Sequence, residues 1–127
     1  MDAIATLERL IAIPSWRSPD NPDVEAGVSE YLTELIQREL PWLHVSHQNV
    51  EGNRFNVFAT DGAPVQLLFV SHLDTKPPGA EWTRRPTGER VGDRFYGRGA
   101  VDPKGGVAAL LAAPALKFFG GHAVIRG

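Results

Sequence analysis

Cysteine is absent from this chain. That one absence removes disulfides, thiolate metal sites and cysteine nucleophiles together, and it fits a reducing compartment. A surplus of either charge is lacking too. Thirteen Lys and Arg against fifteen Asp and Glu leave a net charge of −2, so no global field draws the chain to nucleic acid or to an anionic membrane surface. Long apolar runs are missing. The longest, Val107–Leu116, falls far short of the ~20 residues that cross a bilayer. Met1-Asp2-Ala3-Ile4 has no basic region leading into an apolar stretch, so no signal peptide is expected and the chain reads as cytoplasmic. Gly97-Arg98-Gly99 meets Asp102 where a dinucleotide fingerprint wants its third glycine, and no Gly-Lys-Ser/Thr phosphate loop occurs. Neither Ser15 nor Ser71 sits in a hydrolase elbow.

What is present is an ordinary globular composition, 43% apolar and 22% charged over 127 residues, enough for one domain or part of one. Ile4, Leu7, Leu10 and Ile11 share a helical face behind Asp2 as N-cap, and Ile13-Pro14 ends that helix. A second helix is expected from about Asp23 to Leu40. Val24, Val28, Tyr31, Leu32, Leu35, Ile36 and Leu40 form its buried stripe, and Glu25, Glu30, Glu34 and Arg38 face water. Leu43–Asn49 suits an edge strand, and Arg54–Ala59 alternates as a strand with Phe55, Val57 and Ala59 on its better-buried face. Val65–Val70 is a nearly continuous apolar run broken only by Gln66, which predicts a central strand covered on both sides. Intermixed helices and strands give an α/β class.

After that strand comes Thr75–Asp93, a long excursion rich in proline and glycine, of the kind that is functional or disordered. Arg94–Gly99 reads as a short strand leading to Asp102, which would cap a helix with Pro103 at its first position. Gly105 and Gly106 would allow close backbone approach there. Pro114 should break that helix near Ala113.

The chemistry concentrates at His72, Asp74 and Asp102. Residues i and i+2 of a strand point to one side, so His72 and Asp74 can face one pocket. A metal-bound imidazole commonly gives its other N–H to a carboxylate, a role open to Asp74. The strand ends of an open α/β sheet are where ligands usually bind. Blander readings stand beside these: a structural His–Asp hydrogen bond, and Asp102 as a helix cap only. His44 and His47 would face opposite sides of a strand, and nothing near His122 supports a ligand role. The five arginines from Arg84 to Arg98 read as a solvated loop or, more sharply, as a surface for a substrate carboxylate.

The strings Ser71-His72-Leu73-Asp74-Thr75, Trp82, Tyr96-Gly97-Arg98-Gly99-Ala100 and Asp102-Pro103-Lys104-Gly105-Gly106 resemble the aminoacylase, acetylornithine deacetylase and succinyl-diaminopimelate desuccinylase family of zinc hydrolases. The resemblance covers Ala3 to Ala113 and corresponds to the N-terminal part of a family member. It implies a zinc-peptidase-like catalytic domain with a mixed twisted sheet flanked by helices, interrupted later by a lid or dimerisation domain. It implies two Zn²⁺ ions (Co²⁺ being a possible substitute), with His72 as the first histidine ligand, Asp102 as the bridging aspartate and Asp74 as the catalytic acid beside the histidine. The implied reaction is hydrolysis of an amide bond in an N-acyl amino acid or small peptide.

The family pattern also places two adjacent glutamates, a general base and a ligand, roughly thirty residues beyond the bridging aspartate. Here 25 residues follow Asp102, and the last glutamate is Glu89. Residues 1–127 are therefore expected to be the N-terminal portion of a catalytic domain, from a truncated gene product or a fragment, with doubtful metal occupancy and little activity when isolated. The alternative is an inactive α/β remnant or interaction module of the same fold. Self-association is expected either way if apolar strand surface is left uncovered.

Overall fold

The computed structural model describes residues 1–113 and, for residues 121–126, the backbone. Helix α1 (Ala3–Ala12) starts where the Asp2 carboxylate accepts from the amides of Ile4 and Ala5, which satisfies two donors that a helix start leaves open. Leu10 and Ile11 are buried, whereas Ile4 is exposed, so the helix buries its C-terminal half. Helix α2 (Ala26–Glu39) begins later than the periodicity suggests. Asn21 holds the preceding turn by donating to the carbonyls of Pro14, Trp16 and Val24, and Val24 takes a positive φ of 51°. The expected stripe is buried at Val28, Leu32, Leu35, Ile36 and Leu40, with Tyr31 half-buried.

Strands β1 (His44–Glu51) and β2 (Arg54–Thr60) form an antiparallel hairpin. Backbone 121–126 adds β6 (Gly121–Arg126) between β2 and β3 (Leu67–His72). It runs antiparallel to β2 and parallel to β3, so the four-stranded sheet is mixed, in the order β1-β2-β6-β3. The alternation in β2 is as expected: Val57 and Ala59 are buried and Phe55 packs on the same core. A second, two-stranded sheet pairs β4 (Glu89–Val91) with β5 (Arg94–Tyr96). The long excursion therefore contains a strand of its own, made pairable by the Gly92 turn with φ of 60°. Helix α3 (Lys104–Ala112) closes the described core and packs against α1. It stops at Ala113, the residue before Pro114, which is extended (φ −70°, ψ 127°).

One apolar cluster joins Leu10 of α1, the α2 stripe, Val57 and Ala59 of β2, Leu73, and Val107, Ala108 and Leu111 of α3. Two expectations fail against it. Strand β3 is not covered on both sides: it lies at the end of the strand order, and Leu68 and Val70 are 52% and 54% exposed. Glu25 does not face water. It is fully buried and accepts a 2.8 Å bond from Arg54 Nε, because the chain enters α2 one turn late and carries this side chain inward beside β2. Leu116–Gly120, for which the sequence suggests no role, lie outside the described residues.

Candidate metal centre

The site is built where β3 runs out. Beyond His72 the chain stays extended in its side-chain alternation: Leu73 and Thr75 are buried, while His72 and Asp74 are exposed. Two core anchors thus aim an imidazole and a carboxylate to the opposite side. Thr75 is fixed further by Ser15, whose carbonyl accepts from the Thr75 amide at 2.8 Å and whose hydroxyl lies 3.4 Å from the Thr75 hydroxyl.

Asp102 arrives from the turn after β5. It is not the helix cap expected from the sequence. Pro103 occupies the cap position, after a cis Asp102–Pro103 bond, and no side chain caps α3. The turn is closed by backbone instead, with the Lys104 amide donating to the Gly99 carbonyl at 2.9 Å. Gly99 has φ of 88°, and a Cβ there would lie 2.9 Å from Thr75 Cγ2, so glycine is required on both counts. A Cβ on Gly105 would run into the Ala100 carbonyl oxygen, whereas one on Gly106 would meet nothing within 4 Å. Of that glycine pair, the first alone is needed for close approach.

Released from capping, the Asp102 carboxylate lies 3.0 Å from His72 Nε2. On the other side of the ring, Nδ1 sits 3.0 Å from the Asp74 carbonyl and 3.2 Å from its carboxylate. Both ring nitrogens face acceptors, an arrangement satisfied in full when the imidazole carries both protons. Partial burial works against that charged form, but the Asp74 carbonyl and the Asp102 carboxylate outweigh it and raise the His72 pKa above 6.5.

The three side chains line an open cleft of about 710 Å³, together with Trp82, Arg84, Tyr96 and Arg98. Arg98 stacks on Trp82 at 4.5 Å and Arg84 on Tyr96 at 4.8 Å. Arg84 is also paired with Glu89 at 3.0 Å. Of the other candidates, His47 bonds the Thr33 hydroxyl at 2.9 Å and stacks on Phe55, an edge-strand role, and His44 is exposed on β1. The His122 backbone pairs with Leu68.

Beneath the site is a residue that sequence reasoning left without a role. Lys104 is fully buried, and its Nζ donates to the carbonyls of Leu10 at 2.9 Å and Ile13 at 2.7 Å. Burial lowers its pKa to about 8. It ties the end of α1 to the turn that carries Asp102. The signal was a single charge opening an otherwise apolar and glycine-rich helix, with no acid one turn away to explain it.

In a tetrahedral site with zinc–ligand distances near 2.0–2.2 Å, two donors sit roughly 3.3 Å apart. The 3.0 Å between His72 Nε2 and Asp102 Oδ1 is a hydrogen-bond distance, and the pair would separate by a few tenths of an ångström to share one cation. No group of three such donors occurs among the described residues.

An α/β domain with a mixed sheet and this cleft at a strand end is a partial metallopeptidase-like domain. It superposes on the crystal structure of the M20 family metallo-carboxypeptidase Sso-CP2 from Sulfolobus solfataricus with a TM-score of 0.77 and 27% identity, over 98% of this chain and 30% of that one. In sequence, residues 68–117 match the model for peptidase family M20/M25/M40. Succinyl-diaminopimelate desuccinylases from Novosphingobium aromaticivorans and Methylorubrum populi are 37% and 49% identical over 91% and 94% of the chain. An N-acetyl-L-citrulline deacetylase from Xanthomonas campestris is 33% identical over 84% of it. The chain spans about a third of the length of these curated relatives, 31%, 31% and 28% respectively. By sequence and by fold it is similar to the metallo-carboxypeptidase, the desuccinylases and the deacetylase just named.

Proposed function

We propose that this chain carries part of the active site of a metal-dependent amidohydrolase acting on N-acyl amino acids or small peptides. The observation that supports it most is the convergence of His72 Nε2 and Asp102 Oδ1 to 3.0 Å in an open cleft. His72 and Asp102 would hold a divalent cation, Zn²⁺ by kinship with Co²⁺ as a substitute, and Asp102 has a second carboxylate oxygen with which to bridge to another. When bound, such an ion polarises a scissile carbonyl and acidifies a water molecule.

The chain's own residues have separate tasks. Asp74 holds the His72 ring by accepting from Nδ1, which leaves Nε2 directed at the cleft. Leu73 and Thr75, buried on either side of Asp74, stop that pair from turning away. By the resemblance Asp74 is the acidic residue counted as catalytic, and its place against the imidazole supports a role in orienting that ring. No helix among the described residues is long and apolar enough to cross a membrane, and we place the reaction in the cytoplasm.

Zn²⁺ or Co²⁺ titration tests the reading directly. Binding of one equivalent should disappear in His72→Ala and in Asp102→Asn, and Asp74→Asn should weaken it about tenfold. Hydrolysis of N-acyl amino acids by protein carrying these residues should vanish with chelator and in His72→Ala. A rate left intact in Asp102→Ala would overturn the assignment. The rival reading is an inactive α/β remnant or interaction module of the same fold. That rival predicts no turnover at any metal concentration.

A further inference from the structure

The cleft is lined by a cation, Arg98, that metal chemistry does not use. Arg54, Arg84 and Arg90 each sit beside a glutamate. Arg98 forms no ion pair among the described residues, yet it is only partly exposed. Its guanidinium lies on the face of Trp82 at 4.5 Å, one Nη2 proton goes to the Pro77 carbonyl at 3.3 Å, and the buried Nε has no hydrogen-bond partner among the described residues. A half-buried cation without an anion is costly unless the ligand supplies the charge. Stacking and the Pro77 contact fix the plane of the fork, and the Nη1 protons remain for an acceptor in the cleft. This leaves one charge-assisted contact, from Nη1, for a carboxylate.

We propose that Arg98, held against Trp82, receives a carboxylate of the substrate in the cleft that His72, Asp74 and Asp102 also line. Only the identity of the molecule bearing that carboxylate rests on the hydrolase reading; the anion site itself does not. Substrates with a carboxylate beyond the scissile amide would then be favoured over neutral ones. Asp74, Glu81 and Asp102 line the same cleft, so the site selects for where the negative charge sits and not merely for its presence.

The test is a titration of the metal-free protein with succinate, followed by NMR at the Arg98 Nε–Hε and Trp82 indole N–H resonances. Saturable shifts at both are expected in the unmodified chain. Arg98→Leu should weaken succinate binding about tenfold, the loss of one charge-assisted contact. Arg98→Lys, which keeps the charge but not the planar group that stacks on Trp82, should also bind more weakly and serves if the leucine variant does not fold. Shifts absent from the Arg98 side chain, or an affinity unchanged in both variants, would overturn the inference. So would inorganic phosphate binding more tightly than succinate. His72→Ala should retain succinate binding while losing Zn²⁺, so this inference and the metal reading fail on different variants.

Discussion

At the scale of single residues, His72 is the most informative group. Its two ring nitrogens face the Asp74 carbonyl and the Asp102 carboxylate, and these raise its pKa above 6.5 against the effect of partial burial. In metal-free protein its NMR titration midpoint should lie above 6.5, and Asp102→Asn should bring it down. The sign for stability follows. A raised folded-state pKa contributes stabilisation that is complete below the unfolded value of 6.5 and is lost as pH rises through the folded value. The ring is about half exposed, so this contribution is small and screened. A midpoint at or below 6.5 would mean that the two acids do not hold the ring in solution as they do here.

At the scale of elements, two polar contacts join segments that apolar packing leaves adjustable. Lys104 links α3 to the end of α1 through the Leu10 and Ile13 carbonyls. Lys104→Ala removes a fully buried side chain and leaves both carbonyls without that donor, so a loss of about 3 kcal/mol in unfolding free energy is expected by denaturant titration. Arg54 links β2 to the entry of α2 by neutralising Glu25. Arg54→Met leaves a carboxylate buried and unpaired, and a loss of about 3 kcal/mol is expected there also. Cost near zero in either variant would show that the contact is incidental. The Glu25 link escaped sequence reading for a local reason. Helical periodicity assigns Glu25 to a polar face, and no pattern in sequence reveals that α2 starts late enough to turn it inward.

At the scale of the whole molecule, the exposed apolar row on and before β3 decides behaviour in solution. Val65, Leu67, Leu68 and Val70 are 61%, 41%, 52% and 54% exposed, a contiguous apolar edge of the sort that drives association. These 127 residues alone should self-associate, and a monodisperse monomer in light scattering at high concentration would refute this. The apolar run correctly gave a strand but wrongly gave its cover. Continuity of Val, Leu and Phe reports that both faces suit burial, and says nothing of whether a neighbouring layer lies against them.

Local chemistry determined a good deal by itself. Asp2 as a cap, Pro14 and Pro114 as helix stops, the alternation in β2 and the α2 stripe were all legible, because each depends on backbone rules acting over a few residues. The motifs also pointed to His72, Asp74 and Asp102 as one group. Only the tertiary structure decided that Asp102 turns its carboxylate to His72 in place of capping α3. Only it buried Lys104 against the end of α1 and set Arg98 on Trp82 in the same cleft as the acids. Those arrangements join positions as far as 94 residues apart in the chain. Their energies come from burial and from partners that no local pattern specifies.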